Sequence, residues 1–395
     1  MTERLHKHCR NANDQPPSDF VGVVFGREKG SYDIIFPYGY RLKESGDAYI
    51  RGELFKLIRS INLTKRKYPN LLPETSGEKN CSIFEAMFFL LEDYVENGLF
   101  SERIKEYSTL PRGKVCWKKT LQSNKLITEK GLFFPNVYYQ SASSQENLVT
   151  LLDVSCLHVA KNELFFLFDD FSLPPESIDN PSEYVPYLIN KLSKTYIDRE
   201  KNILLAMISI LGSKSSELGA TSRDIGTSSY FAVWEYMLRQ VYGNENESKY
   251  YPQGMYQMDG SPEKKASELR PDIINKEGNR YYILDAKYYP YGETKALRDL
   301  PNSESIAKQV IYGKYVHDYY GSDEVFNAFV IPSSEKGALY KGRGYLKDDK
   351  DMSLTFHTVH IITKNINEVL DEFCNPSSVK PNDVFAALEP HLILG

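Results

Sequence analysis

Residues 269 to 288, Leu-Arg-Pro-Asp-Ile-Ile-Asn-Lys-Glu-Gly-Asn-Arg-Tyr-Tyr-Ile-Leu-Asp-Ala-Lys-Tyr, constrain this chain more than any other stretch. They predict two short strands joined at Lys276-Glu277-Gly278-Asn279, a polar, glycine-containing turn of the kind that closes a β-hairpin. Side chains alternate faces along a strand, so Asp285 and Lys287 point the same way as Tyr281 and Ile283. The hairpin brings Asp272, which follows Pro271, alongside them. Two carboxylates and an ammonium at a strand end can hold a hard divalent cation and orient a water toward a phosphodiester. The alternative for the same residues is an edge hairpin with a salt bridge from Lys287 to Asp285 or Asp272. An acid-x-Lys triplet also begins at Glu247, Glu263, Glu293 and Asp348, but in polar, turn-like stretches that read as solvated charge. Only Asp285 is embedded in an apolar strand.

Upstream, Gly226 to Gly243 predicts a helix with an N-cap among Thr227 to Ser229 and a stop at Gly243. Tyr230, Phe231, Val233, Trp234, Met237, Leu238, Val241 and Tyr242 form its apolar face. Glu235 lies at the margin of that face. It is either an edge carboxylate bonded to Arg239 one turn on, or a third acid aimed at the metal. Downstream, Ser303 to Tyr320 predicts a helix with Ile306, Gln309, Val310, Gly313 and Val316 on one side. Gln309 could reach the scissile phosphate or a catalytic water; the alternative is an ordinary surface amide. Strands at Phe326 to Pro332 and Leu354 to Ile362, then a helix near Ile366 to Phe373, complete a mixed α/β (α+β) sheet flanked by helices.

The hairpin resembles the PD-(D/E)xK nucleases. Together with Gly226-Thr-Ser-Ser-Tyr-Phe, Val233-Trp-Glu-Tyr-Met and Lys308-Gln-Val-Ile-Tyr312, it is similar to the LlaJI/McrC group of restriction-system nuclease subunits. The likeness extends to Gly113-Lys-Val-Cys-Trp-Lys-Lys-Thr120, which resembles a Gly-x-x-x-Trp-x-x-Thr element of that group. The resemblance implies a restriction-endonuclease-like core and a DNA endonuclease working beside a separate McrB-like AAA+ GTPase or ATPase. It carries Asp272, Asp285 and Lys287 over as catalytic residues, with Glu235 as a further acid. On this reading Asp272, Asp285 and the Ala286 carbonyl bind Mg²⁺, with Mn²⁺ able to substitute, and Glu235 completes the shell. A stand-alone repair or recombination nuclease and a catalytically silent scaffold remain alternatives.

At 395 residues the chain is long enough for two domains. The expected division is a disordered segment at 1–17, an N-terminal mixed α/β docking domain at 18–215 and a nuclease domain at 216–395. The Gly212 to Gly219 run is the linker between them. Cysteines at 9, 81, 116, 156 and 374 are scattered and odd in number, which fits incidental thiols in a reducing cytoplasm. No apolar run reaches membrane-span length, and the first residues lack a signal core. No Gly-x-x-x-x-Gly-Lys-Ser/Thr loop is present, so no nucleotide is expected on this chain. A net charge of −5 argues against autonomous DNA binding, because phosphate neutralisation supplies most non-specific affinity. The basic clusters are Lys65 to Lys67, Lys118 and Lys119 with Lys125, and Lys341, Arg343 and Lys347 in a predicted Gly-rich loop.

Overall fold

The computed structural model describes residues 5–14, 18–26, 31–68, 78–111, 114–128, 131–145, 148–164, 172–212, 224–347 and 354–392. It has the mixed α/β class expected, in two compact units. Met1–Ser76 joins Ser222–Gly395 in one unit, and Gly77–Thr221 forms the other.

The first unit is built on a five-stranded mixed sheet in the order Ile273–Glu277, Arg280–Ala286, Val325–Ser333, Val359–Asn365, Ala338–Gly344. The two outer pairings are antiparallel and the inner two are parallel. Every residue of Val325–Ser333 and Val359–Asn365 is buried. Strands covered on both faces read as apolar runs rather than alternating ones, which is why both stretches stand out in the sequence. Val310, Tyr312 and Val316 of the Ser303–Tyr320 helix close one face over Tyr281, Ile283, Phe329 and Ile331. Tyr282 points to the other face, where it meets Phe385 of the Asp383–Leu392 helix, and Phe385 in turn meets Tyr242 of the Tyr230–Tyr242 helix.

Residues 18–76 therefore do not belong with the segment that follows them, as the expected domain division had it. The cause is long-range pairing. Val21–Phe25 lies between Tyr32–Phe36 and Ile225–Thr227 and pairs antiparallel with both. Gly22 has φ +138°, and a Cβ there would sit 2.1 Å from the Ile225 carbonyl oxygen, so only glycine allows that approach. The Asp47–Lys67 helix packs on Tyr230–Tyr242 and Ile366–Cys374. The expected disorder at 1–17 is also corrected over residues 5–14. Leu5–His8 is a 3₁₀ turn, and Cys9–Asn11 pairs parallel with Tyr32–Phe36. Residues 1–4 and 15–17, the linker residues 213–219, Gly113 and Asp348 lie outside the described residues.

Three further elements differ from expectation. The predicted Gly-rich loop around Lys341 and Arg343 is the strand Ala338–Gly344, whose pairing shifts between Tyr340 and Gly342. Gly342, at φ +142°, supplies that bulge. The start of the predicted strand at Leu354 is a 3₁₀ turn, Thr355–His357. There Thr355 Oγ1 donates to the carbonyls of Asp323 and Val325, a local bond that competes with strand pairing. The Asp383–Leu392 helix was not foreseen.

The second unit holds the helices Glu78–Asn97, Trp117–Gln122, Leu148–Glu163, Val185–Leu192 and Asp198–Gly212. A small antiparallel sheet pairs Tyr139–Gln145 with Glu102–Ser108 and Lys114–Val115. A separate hairpin joins Leu126–Thr128 to Gly131–Phe133. Within this unit the Arg199 guanidinium grips Asp93 through two bonds of 2.7 Å.

Candidate active site

The hairpin closes through a two-residue loop, Gly278-Asn279, with Gly278 at φ +63°. Glycine at the first loop position is what a primed hairpin turn requires. That turn sets the register. Ile273 pairs with Leu284, and one step further places Asp272 opposite Asp285. The Ala286 N–H donates to Asp272 Oδ2 at 2.8 Å, which ties the two halves of the motif together. Lys287 Nζ lies 2.6 Å from Asp285 Oδ2. Asp285 is buried, while Asp272 and Lys287 are half-buried. All three sit at the carboxyl end of Arg280–Ala286, beside the parallel strand Val325–Ser333. Ligands of open α/β sheets commonly bind outside the carboxyl ends of parallel strands.

The electrostatics follow from crowding three acids and two cations in a half-dry place. Burial pushes the Asp272 carboxyl well above its usual range, and the charges of Asp285 and Glu235 add to that; the Ala286 N–H and Lys287 pull the other way. Burial also raises Glu235, with Arg239 opposing and Asp285 reinforcing. Burial alone would lower the Lys287 ammonium, but Asp285 and then Asp272 outweigh it and hold the group above its usual value. Lys287 is therefore a charged donor at neutral pH.

Glu235 feels the charges of Asp285 and Lys287, yet its Oε1 accepts from Arg239 at 3.0 Å. The Arg239 bond is the edge pairing that helical spacing allowed. Among the described residues, no three His, Cys, Asp or Glu side chains meet as a ready-made metal group. Asp272, Asp285 and Glu235 are neighbours rather than a cage. Gln309 is not a surface amide. It is buried, and its Nε2 donates to the Ile283 carbonyl at 2.6 Å, which fastens the Ser303–Tyr320 helix to the Arg280–Ala286 strand.

Three contributors escaped the sequence reading. Arg239 donates through Nε to the Asp272 carbonyl at 2.8 Å, and it also bonds Glu235 and the Tyr68 hydroxyl. Glu247, taken as solvated charge, pairs with the same guanidinium at 3.3 Å. Tyr312 donates to the Arg270 carbonyl at 3.2 Å and feels both aspartates. Glu293, another of the acids read as solvated, instead accepts from the Ser334 N–H at 2.7 Å and from Arg41 at 2.8 Å. The one advance signal was helical spacing: Arg239 lies one turn after Glu235, and Tyr312 one turn after Gln309.

The LlaJI restriction endonuclease family model matches residues 20–361. The chain belongs to the LlaJI restriction endonuclease family. A curated relative, the Type II restriction enzyme BsuMI component YdjA of Bacillus subtilis (strain 168), is 23% identical over 387 residues, covering 93% of this chain and 83% of that protein. A solved assembly of Thermococcus gammatolerans McrB AAA+ hexamers with bound McrC contains a chain that aligns over 94% of this one and 83% of its own length. That alignment has 13% identity and a TM-score of 0.35, which is too low to carry a conclusion. Within this LlaJI-family chain, no helix among the described residues is long and apolar enough to cross a membrane.

Proposed function

We propose that this chain is the Mg²⁺-dependent DNA endonuclease subunit of a restriction system, with a PD-(D/E)xK site, and that it cuts DNA together with a nucleotide-hydrolysing McrB-like AAA+ motor. The observation that carries this reading is the meeting of Asp272, Asp285 and Lys287 at one strand end in a restriction endonuclease family member. Two carboxylates suit Mg²⁺, which usually takes one or two from the protein and completes its shell with water and substrate phosphate. The raised Asp272 carboxyl fits a place that lacks positive charge. Mg²⁺ at this site would lower the pKa of a bound water and offset charge on the phosphate.

The chain's own residues do the rest. Asp272 and Asp285, with the Ala286 carbonyl, would hold the cation. The Ala286 N–H keeps Asp272 aimed at it. Lys287, charged, orients the attacking oxygen and stabilises the negative charge that develops on the phosphate. Glu235 adjusts the field at the metal. Arg239 fixes the backbone of Asp272, and Gln309 fixes the strand that carries Asp285.

The Gly77–Thr221 unit is assigned to docking. Its Leu126–Phe133 hairpin leaves apolar side chains in water, and the acidic chain needs help to hold DNA. The test is cleavage of a supercoiled plasmid with Mg²⁺, with and without a McrB-like AAA+ protein, omitting GTP and ATP in turn. Cutting is expected only with motor, nucleotide and Mg²⁺ together. Efficient, site-specific cutting by the isolated chain would reject the motor and leave a stand-alone nuclease. No cutting under any combination would reject the nuclease itself.

A further inference from the structure

A cavity of about 560 Å³ opens beside the catalytic strand, in the same compact unit. That volume is in the range of sites that take small organic ligands. Ala286 and Lys287 form part of its wall, so it is continuous with the residues that face the scissile phosphate. The rest of the wall is mostly aromatic, with Tyr38, Phe231, Tyr288 and Tyr289 in it and Asp19 at the rim. Tyr38 and Tyr288 are locked together: the Tyr38 N–H donates to the Tyr288 hydroxyl at 2.8 Å, and their ring centroids are 5.1 Å apart.

Phe231 is the residue to explain. Helical periodicity assigns it to the buried face of Tyr230–Tyr242, yet it is 52% exposed while Tyr230, Ala232, Val233 and Trp234 are buried. It lies one turn before Glu235 and so shares a face with it; Glu235 in turn feels Asp285 and Lys287. The helix thus presents a bare aromatic ring beside the charged cluster. An exposed ring next to a phosphate site is what a single-stranded nucleic-acid platform needs, because every base has a stacking face and every nucleotide a phosphate one bond series away.

Building on the nuclease reading, we propose that this cavity takes one unstacked nucleotide of the strand being cut, with the base against Phe231 and the phosphate toward Lys287. Asp19 at the rim can accept from a base amine and repels phosphate, which sets the orientation. It follows that DNA must be locally unpaired at the cut, a state that a motor acting on the duplex can supply.

The probe is 2-aminopurine deoxyriboside 5′-monophosphate, titrated into the full-length chain while its fluorescence is followed. Saturable quenching is expected with the wild-type chain. Phe231→Ala should weaken binding on the order of tenfold or more, and Phe231→Trp should retain it. Deoxyribose 5-phosphate, which has no base, should fail to displace the probe at concentrations where dAMP does. Absence of saturable quenching in the wild-type chain, equal affinity in Phe231→Ala, or equal displacement by the baseless sugar phosphate would each overturn the proposal. Plasmid cleavage by the same preparation, supplied with the McrB-like motor, nucleotide and Mg²⁺, separates the two readings. Probe binding without cleavage removes the nuclease and keeps the nucleotide site, whereas cleavage without probe binding removes the site and keeps the nuclease.

Discussion

The central strand Val325–Ser333 and the paired strands Leu126–Thr128 and Gly131–Phe133 are both rich in apolar side chains, and the protein treats them in opposite ways. All nine residues of the first are buried between helices. In the second, Ile127 is 81% exposed, and Leu126, Leu132 and Phe133 are each more than half exposed. A lone two-stranded hairpin is marginal in water, so this one gains little from its own pairing. Apolar surface left open on a folded chain marks a contact surface or an aggregation hazard. The contrast is between apolar surface that holds Asp272, Asp285 and Lys287 in place and apolar surface left in water, which the proposed docking would use.

The strongest way to break this comparison is at the site the sheet supports. Asp285→Asn should reduce motor-dependent plasmid cleavage by on the order of 10³ or more, and Lys287→Ala by about 10²–10³, with unchanged circular dichroism. Cleavage at the wild-type rate by either folded variant would detach the chemistry from the hairpin. Next comes packing. Phe329→Ala, in the buried strand, should cost about 3–5 kcal/mol in urea unfolding. Phe133→Ala should stay within about 0.5 kcal/mol, as an exposed side chain does, and lower only the motor-stimulated rate. Equal destabilisation by the two would erase the distinction between the two kinds of apolar surface.

What could be read in advance was what neighbours in sequence decide. The hairpin was legible because period-two alternation, one turn glycine and one Pro-Asp lie within twenty residues. The helix Ser303–Tyr320 matches its predicted bounds, since Asn302 caps it by accepting from the Ser305 N–H and Gly321 ends it at φ +68°. What stayed hidden depends on distant partners. Nothing near Val21 indicates that it pairs with Thr227 across some two hundred residues. Periodicity assigns Phe231 to a buried face, but only the packed neighbours decide which margin of a broad apolar stripe is left open. Arg239 looked like a surface partner for Glu235 because its bond to the Asp272 carbonyl exists only after the helix meets the hairpin.

The two units also hide titratable groups of opposite sign. His360, inside the buried strand Val359–Asn365, is lowered from 6.5 to about 4 by burial, with His391 and Arg343 adding to it. Asp153, in the Leu148–Glu163 helix, is raised from 3.8 to about 7 by burial despite the N–H of Phe100. The linkage signs are therefore opposed. The His360 contribution is complete above about pH 6.5 and is lost as pH falls toward 4, because the unfolded chain takes up a proton that the folded one refuses. The Asp153 contribution is complete below about pH 3.8 and is lost as pH rises through 7. At about 1.4 kcal/mol per pKa unit, the His360 contribution is worth about 3 kcal/mol at most and the Asp153 contribution about 4 kcal/mol at most. Hydrogen-exchange protection, corrected for intrinsic rates, should rise with pH in Val359–Asn365 and fall in Leu148–Glu163. Parallel slopes would show that these two groups do not govern the stability of their units.

The smallest effect concerns Glu235, which stands between the two kinds of role. If it were only an edge partner of Arg239, its charge would contribute little, since ion pairs one turn apart on a helix are typically worth under about 1 kcal/mol. Gln at this position keeps an oxygen to accept from Arg239 and removes the charge that Asp285 and Lys287 feel. Glu235→Gln should therefore leave the thermal midpoint unchanged and lower cleavage about tenfold, near 1.4 kcal/mol of transition-state stabilisation. Raising the Mg²⁺ concentration should recover part of that loss, because a weakened field at the metal acts first on metal affinity. Wild-type cleavage at every Mg²⁺ concentration would return Glu235 to a purely structural role and leave the metal to Asp272 and Asp285 alone.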